Sequence, residues 1–354
     1  MDFFNVSMNM SELHDNLTNS SNERAGPSAT ALHVGATVML FALMWGVFAN
    51  VLTMIVILTE RDLKNITNIF IVSLCINDIL NLGINNLLVL VSYFMMTWAT
   101  GSVVCEMVTH LSVLLMGSSL WHTGLVAIHR LIVVVFNPFY KKISKNAYTV
   151  FVLVFARVVP LLFLIQPSLG YMSQYEPKLL RCIIKKGFGL YTMFVSVALM
   201  MLPSLILIVC YIAIFVKVHH SSSAFRTSRK REWLRREIQI TKMFGMVFLL
   251  IIIGYLPYGI VRSIDKGLNF SADFYVAITV FFAVANSCNP IIYGVMDRKI
   301  RRACFRALGL EERCLTAEEK SKMRKSSIKS NGESQAVSEA RTEAVPLNSQ
   351  TTKK

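Results

Sequence analysis

The stretch ANSCNPIIYGVMDRKIRRACFRAL, from Ala285 to Leu308, changes abruptly from apolar to basic. Its apolar part contains a proline, Pro290, and two polar side chains, Asn289 and Tyr293. A proline inside a helix removes a backbone hydrogen bond and loosens the helix locally. Whether a helix tolerates such a break depends on the solvent around it, and the composition of the whole chain indicates that solvent.

The composition indicates a membrane protein. The chain has 354 residues, of which 54% are hydrophobic and 16% charged, whereas a soluble protein usually carries about a quarter charged residues. About 20 consecutive apolar residues can cross a bilayer as a helix. The sequence contains seven blocks of this kind, joined by short polar links: Ala31–Leu58, Ile66–Met95, Ser102–Phe136, Ala147–Tyr171, Phe188–Val218, Ile238–Lys266 and Asp273–Met296.

These blocks predict an all-α membrane protein, a seven-transmembrane helix bundle followed by a short amphipathic eighth helix. A single block could be a buried core helix, but seven in succession argue against that alternative. A β-barrel would alternate apolar and polar positions, and helices satisfy their own backbone polar groups in lipid. The predicted organisation is an extracellular glycosylated tail (1–30), the transmembrane domain (31–296), a juxtamembrane helix (297–310) and a disordered cytoplasmic tail (311–354).

Charge predicts the orientation in the membrane. Lys and Arg concentrate after the first, third, fifth and seventh blocks, and the positive-inside rule therefore places the N-terminus outside and the C-terminus inside. The net charge of +15 is explained by this inner face, where anionic lipids attract basic residues, so nucleic acid is not an expected partner. Four Asn-x-Ser/Thr glycosylation motifs in the N-terminal tail agree with an outside location: Asn5, Asn9, Asn16 and Asn19.

Motifs spread along the blocks carry a family resemblance. The sequence reads GVFANVLTM around Asn50, SLCINDIL around Asp78, His-Arg at 129–130 and Asn-Pro-x-x-Tyr at 289–293, and it has Trp98, Gly101, Cys105, Pro203, Tyr211 and Pro257 in order between them. From Ala31 to about Leu310 the chain thereby resembles rhodopsin-like (class A) G-protein-coupled receptors. The NSC and IIYG segments are also similar to melatonin-type receptors.

The resemblance implies a plasma-membrane receptor that binds an extracellular ligand and activates a heterotrimeric G protein, with arrestin, receptor kinases and membrane lipids as further partners. Ser112 stands where amine receptors carry an aspartate, which implies a non-amine ligand, either a peptide or a small molecule. The last block lacks the lysine that holds retinal in opsins. The expected pocket residues are Ser112, Met116, Tyr255, Tyr258, Arg262, Tyr275 and Thr279. Arg262 could attract an anionic group, although ordinary loop charge is the alternative.

Asp78 is a carboxylate within a membrane-spanning block, which needs a polar partner there. In similar receptors this residue binds a sodium ion, and hard oxygen ligands suit such a cation. No cofactor is required, but an allosteric sodium ion would be held by Asp78 as metal ligand with help from Asn50, Ser119, Asn286 and Asn289. The alternative is a protonated or hydrogen-bonded Asp78 without an ion.

The resemblance also assigns an activation switch. Arg130 and Glu237 would pair in the resting receptor, and separation would free Arg130 for the G protein. Pro290 and Tyr293, together with Pro257 and Tyr211, would let the helices adopt two packings close in energy, whereas a static kink is the alternative. His129 replaces the usual acid before Arg130, so a pH-dependent resting state and a plain neutral histidine both remain open. Arg157 needs a partner that the sequence does not identify.

The cysteines divide by location. The resemblance implies a disulfide between Cys105 and Cys182, on the oxidising outer side. Cys304 and Cys314 lie on the inner side and are candidates for palmitoylation, with Cys304 on the amphipathic segment. Cys75, Cys210 and Cys288 are expected core residues.

Other classes of protein fit less well. A multi-span transporter often shows internal repeats and a channel a polar pore-lining face, and neither pattern is evident. They remain the alternative to the receptor. No metal-ligand spacing, nucleophile elbow or phosphate loop indicates an enzyme.

Overall fold

A computed structural model describes residues 26–136, 145–163, 173–185, 189–221, 228–265 and 267–310. The chain divides into two units, one ending at Arg301 and the other beginning at Arg302. The helices are α1 (Ala29–Thr59), α2 (Ile66–Met95), α3 (Gly101–Val134), α4 (Lys145–Leu162), α5 (189–221), α6 (Ser228–Ile264), α7 (Ala272–Met296) and α8 (Arg298–Ala307).

Seven of these helices correspond to the seven apolar blocks, which confirms the predicted fold class. Six of them are long and apolar enough to cross a membrane. The remaining one, α4, is apolar from Ala147 to Leu162; the predicted block continues to Tyr171, but residues 164–172 lie outside the described part of the chain. Large apolar side chains such as Phe41, Phe215 and Leu190 are exposed, as expected where lipid is the solvent.

Side-chain caps begin several helices. The hydroxyl of Ser28 accepts a hydrogen bond from the amide of Ala31 at the start of α1, and Asn65 caps α2 in the same way. Such caps satisfy amides that have no partner within the helix. Asp273, at the start of α7, accepts hydrogen bonds from both the amide and the hydroxyl of Ser28, at 2.7 and 2.8 Å. The first turns of α1 and α7 are thus held together.

Two helices contain a π-helical turn, which inserts an extra residue and rotates the side chains that follow it. In α2 this turn is Asn81–Asn86, shortly after Asp78. In α5 it is Val197–Met201, and the indole of Trp121 on α3 donates to the backbone oxygen of Ala198 there, at 3.2 Å. Neither turn was apparent from the apolar pattern, which does not register one extra residue.

A two-stranded antiparallel sheet joins one end of the bundle. Strand β1 (Ser173–Glu176) pairs with β2 (Arg181–Ile184) so that Glu176 faces Arg181 across the strands. Leu180, in the turn, packs in one apolar cluster with Tyr93 and Val276. We call this end of the bundle the hairpin end, and the opposite end, where α3 carries Arg130, the Arg130 end.

Candidate functional site

An ion pair joins α3 to α6 at the Arg130 end. The Nη1 atom of Arg130 lies 3.0 Å from Oε2 of Glu237, and both side chains are largely shielded from solvent. The Nη2 atom of Arg130 also donates to the hydroxyl of Thr67 on α2, and the guanidinium lies 6.0 Å from the ring centroid of Phe244. Because the pair is partly buried, losing one partner costs more than losing an exposed one. We call it the α3–α6 ion pair.

A cavity of about 940 Å³ opens beside this pair. It is bounded by the starts of α2 and α6 and by the ends of α3 and α7, and its charged lining residues are Arg130, Arg236, Glu237, Asp297, Arg298 and Lys299. The predicted switch residues Arg130 and Glu237 therefore line a concave surface large enough to receive part of a partner protein.

His129, beside Arg130, lies among aromatic rings. Its imidazole stacks on Tyr148 with 5.0 Å between centroids and meets Phe70 edge-on at 5.8 Å. The histidine is buried, at 4% exposure. It therefore occupies an aromatic packing position in this conformation, in place of a carboxylate beside Arg130.

The two tyrosines of the predicted switch each bury an unused hydroxyl. Tyr211 on α5 and Tyr293 on α7 have hydroxyl groups that are buried without a hydrogen-bond partner among the described residues. Pro290 is the second residue of the last segment of α7, which follows a break at Cys288, and Pro257 lies inside the continuous helix α6. These four residues combine prolines within helices with hydroxyl groups that are left unsatisfied in this conformation.

Asp78 lies in a buried polar cluster. Its Oδ2 atom accepts a hydrogen bond of 2.8 Å from Nδ2 of Asn289. The side-chain oxygens of Asn50 and Asn289 are buried and unpartnered in the described structure. The side-chain nitrogen of Asn50 donates a hydrogen bond to the backbone oxygen of Gly46, at 2.9 Å. The side-chain oxygen of Asn50 remains available to another group.

The other two predicted sodium ligands make different contacts. Ser119 accepts a 2.6 Å hydrogen bond from Nδ2 of Asn77, which also donates to the backbone of Leu115 at 2.7 Å. The amide nitrogen of Asn286 donates to the oxygen of Phe282 in its own helix, at 3.0 Å. The geometry thus joins Asp78 directly to Asn289, and it assigns Asn77 a link between α2 and α3 that the sequence did not reveal.

The hairpin end contains the expected disulfide. Cys105 on α3 and Cys182 on β2 are bonded, with their Cα atoms 5.5 Å apart, as predicted. Four of the expected pocket residues lie near this end on α6 and α7. Tyr255, Tyr275 and Thr279 are buried, and Tyr258 is half-buried. Tyr255 packs edge-on against Phe282 at 4.5 Å.

The expected pocket residues on α3 are half-buried. The hydroxyl of Ser112 donates a hydrogen bond to the backbone oxygen of Val108 in its own helix, at 2.8 Å. Met116 lies one turn further along α3. The side chain of Arg262 lies outside the described residues, as do Asn5, Asn9, Asn16, Asn19 and Cys314. Cys304 is a free thiol on α8.

Asp265, between α6 and α7, was not singled out from the sequence. Its carboxylate accepts hydrogen bonds from the amides of Asn269 and Phe270, at 2.7 and 2.8 Å, and from the hydroxyl of Tyr275. Burial by itself would raise the pKa of Asp265. These hydrogen bonds and the positive charge of Lys178 outweigh it and hold that pKa below its ordinary value. The residue organises the loop at the hairpin end.

The comparison with known proteins agrees with this architecture. Residues 49–293 match the family described as "7 transmembrane receptor (rhodopsin family)". The human visual pigment-like receptor peropsin is 24% identical over 305 residues, covering 82% of this chain and 90% of the relative. Melatonin receptor type 1C of Xenopus laevis is 24% identical over 284 residues, covering 77% and 67%.

A solved structure supports the fold. The crystal structure of squid rhodopsin matches with a TM-score of 0.74 at 18% identity, covering 85% of this chain and 93% of that one. At this identity the likeness shows the arrangement of the helices alone. The family match identifies a receptor fold, not a transporter, a channel or an enzyme.

Proposed function

Because the chain belongs to the rhodopsin family of seven-transmembrane receptors, we propose that it binds an extracellular, non-amine ligand and activates a heterotrimeric G protein. The family makes it a multi-pass plasma-membrane receptor that signals through G proteins. The observation that carries the finer proposal is the cavity of about 940 Å³ beside the α3–α6 ion pair. It is the surface on which a G protein would act.

The proposed orientation places the hairpin end outside the cell. The disulfide between Cys105 and Cys182 suits an oxidising compartment. The Arg130 end carries the basic residues Arg61, Lys64, Arg235, Arg236, Arg298 and Lys299, and positive residues favour the cytoplasmic side. The N-terminus would then be extracellular.

Activation would proceed by separating Arg130 from Glu237. Ligand binding at the hairpin end biases the packing of α6 and α7 around Pro257 and Pro290. Movement of α6 widens the cavity and frees the guanidinium of Arg130 to contact the partner. A ligand can shift this equilibrium only by the difference between its affinities for the two packings.

Two observations narrow the class of ligand. Ser112 provides no anionic partner for a protonated amine. Although peropsin is described as visual pigment-like, α7 here has no lysine between Ala272 and Met296 on which an aldehyde could form a Schiff base. A non-covalent peptide or small molecule fits both observations.

A sodium ion fits the cluster around Asp78. The two buried and unpartnered oxygens of Asn50 and Asn289, together with the carboxylate, are the hard oxygen ligands that such a cation prefers. Bound sodium would supply a counter-charge for the carboxylate. Asn289 orients that carboxylate through its 2.8 Å hydrogen bond, and Ser119 and Asn286 would complete the site.

Arrestin and receptor kinases would act on the tail beyond Leu310, which lies outside the described residues. Anionic lipids would meet the basic residues of the Arg130 end. Palmitoylation at Cys304 or Cys314, and glycosylation of the N-terminal tail, remain proposals of the same kind.

Basal nucleotide exchange tests the proposed function without a known ligand. Membranes containing the receptor and heterotrimeric G proteins are assayed for binding of a non-hydrolysable GTP analogue. Glu237→Ala is expected to raise basal exchange several-fold, and adding Arg130→Ala is expected to abolish the rise. Glu232→Ala, which removes an exposed glutamate from the same helix, serves as the matched control. If Glu237→Ala leaves basal exchange at the wild-type level despite normal surface expression, the proposal fails.

A further inference from the structure

The guanidinium of Arg181, at the hairpin end, faces aromatic side chains of the bundle. Its Cζ atom lies 5.2 Å from the ring centroid of Tyr258 on α6. A side chain on a loop strand thus presents its charge toward an aromatic ring of α6.

The neighbours of Arg181 hold it in this direction. Cys182, the next residue, is bonded to Cys105 on α3. Leu180, the preceding residue, packs with Tyr93 and Val276, whereas Ile183 packs in a second apolar cluster that includes Val261 and Tyr275. Three anchors therefore fix the strand around Arg181, and the guanidinium is preorganised.

Among the described residues, Arg181 forms no ion pair. Its Nε atom is buried without an acceptor among the described residues. Glu176 faces it across the two strands, but these two residues form no ion pair with each other. The hydroxyl of Tyr93, whose ring packs with the neighbouring Leu180, is also buried without a hydrogen-bond partner among the described residues.

Three other described carboxylates of the hairpin end already have partners within the protein. Glu106 accepts a 2.9 Å hydrogen bond from the amide of Ser173 and pairs with His110. Asp265 accepts from two amides and from Tyr275. Asp273 accepts two hydrogen bonds from Ser28. A half-buried cation with an unused donor, at an end of the bundle where these acids are occupied, favours an anion that comes from outside the chain.

We propose that the ligand of this receptor is an organic carboxylate that binds the guanidinium of Arg181. The planar fork of an arginine matches a carboxylate with two parallel hydrogen bonds, and the unpartnered hydroxyl of Tyr93, whose ring packs with the neighbouring Leu180, would supply a further donor. An apolar, aromatic body would pack against Tyr255, Tyr258 and Phe282. The ring centroid of Phe282 lies 4.5 Å from that of Tyr255 and 6.4 Å from that of Tyr258. The inference rests on the proposed receptor function and specifies its ligand.

Thermal unfolding of the purified full-length receptor in detergent tests this inference. The probe is 2-naphthoate, and 2-naphthamide serves as the neutral probe of the same shape. The acid is expected to raise the melting temperature of the wild type in a saturable way, and the amide is not. In the Arg181→Gln variant, the concentration of acid that gives half of the maximal stabilisation is expected to rise about 10- to 100-fold. The rise is expected to be smaller in Arg181→Lys.

Three controls separate the site from general effects. Lys185→Gln removes the same charge from a residue just beyond β2 and is expected to retain the response. Glu176→Gln removes the carboxylate that faces Arg181, and this variant is expected to retain or strengthen the response to 2-naphthoate. The melting temperature of Arg181→Gln without probe shows whether this variant folds, and the two probes on the wild type give a result that needs no variant.

The outcomes that overturn the inference are definite. It fails if 2-naphthoate does not stabilise the wild type, if the amide stabilises it equally, or if a folded Arg181→Gln receptor responds as the wild type does. Such a failure is distinct from failure of the receptor function itself, because Glu237→Ala reports basal G-protein activation without any ligand.

Discussion

The guanidinium of Arg157 on α4 donates two hydrogen bonds to Ser73 on α2, one to the hydroxyl at 2.8 Å and one to the backbone oxygen at 3.2 Å. This is the partner that the sequence left unidentified. A charged group within a membrane bundle needs polar neighbours, and Ser73 provides two acceptors. The contact also joins α2 to α4.

The contact predicts an unequal response to two substitutions. Ser73→Ala is expected to destabilise the receptor by about 1–3 kcal/mol, because a hydrogen bond to a charged group is lost and the charge stays buried. Adding Arg157→Leu should remove most of that loss, since the charge is then absent. Thermal unfolding of both single variants and the double variant in detergent measures the coupling. Strictly additive losses would show that the two side chains are energetically independent.

The pKa of Asp265 predicts a pH-dependent contribution to stability. Because the folded-state pKa lies below the ordinary value, the contribution is present above the unfolded-state pKa of about 3.9 and is lost as the pH falls through the folded-state value. Asp265→Asn should therefore lower the melting temperature at pH 7. The difference from the wild type should shrink as the pH falls below about 4. A difference independent of pH from 7 to 3 would contradict the prediction.

Gly46 lies where α1 approaches α7. A Cβ atom at this position would lie 2.5 Å from Cδ1 of Leu82 and 2.8 Å from Cβ of Ser287. Gly46→Ala is therefore expected to force the helices apart and to destabilise the receptor by about 1–3 kcal/mol.

The matched control is Gly294→Ala on α7, where a Cβ atom would meet nothing within 4 Å. That substitution should be neutral or stabilise the helix by up to about 1 kcal/mol. The melting temperatures of the two alanine variants show the effect of the same added methyl group at a tightly packed position and at a position with free space. Equal effects would mean that the approach of α1 to α7 is not tight in solution.

The Asp78 cluster predicts a specific response to sodium. Replacing choline chloride by sodium chloride at constant ionic strength should raise the melting temperature, because an ion that binds only the folded state stabilises it. The gain is about 1.4 kcal/mol when the sodium concentration is ten times the dissociation constant. Asp78→Asn should abolish the difference between the salts. Potassium chloride serves as the size control, and an identical rise with potassium would argue against a sodium site.

Several parts of the site could be anticipated from residues alone. Asp78, Arg130 and Asn289 stood out because polar or charged side chains within apolar blocks need a reason, and the family resemblance paired Arg130 with Glu237 and Asp78 with Asn289. Arg130 and Glu237 do form an ion pair, and Asn289 does bond Asp78. Thr67, the second partner of Arg130, was not anticipated, because a threonine near a helix start has no distinctive pattern.

Arg181 shows why other parts could not be anticipated. In the sequence it is one of several basic residues between the fourth and fifth blocks, and no motif singles it out. The hairpin register, the disulfide and two apolar clusters turn its guanidinium toward Tyr258. Each of these contacts joins residues that are distant in the chain, so local patterns do not report them.

The sequence alone determined that the chain crosses the membrane as seven helices, because lipid offers no hydrogen bonds and each apolar block must satisfy its own backbone. Tertiary structure alone decided the polar contacts that no motif indicates, as with Arg157 and Ser73 or Asn77 and Ser119. Each residue rotates a helix by about 100°. One extra residue in the π turns of α2 and α5 therefore redirects every side chain beyond it, which composition and spacing do not reveal.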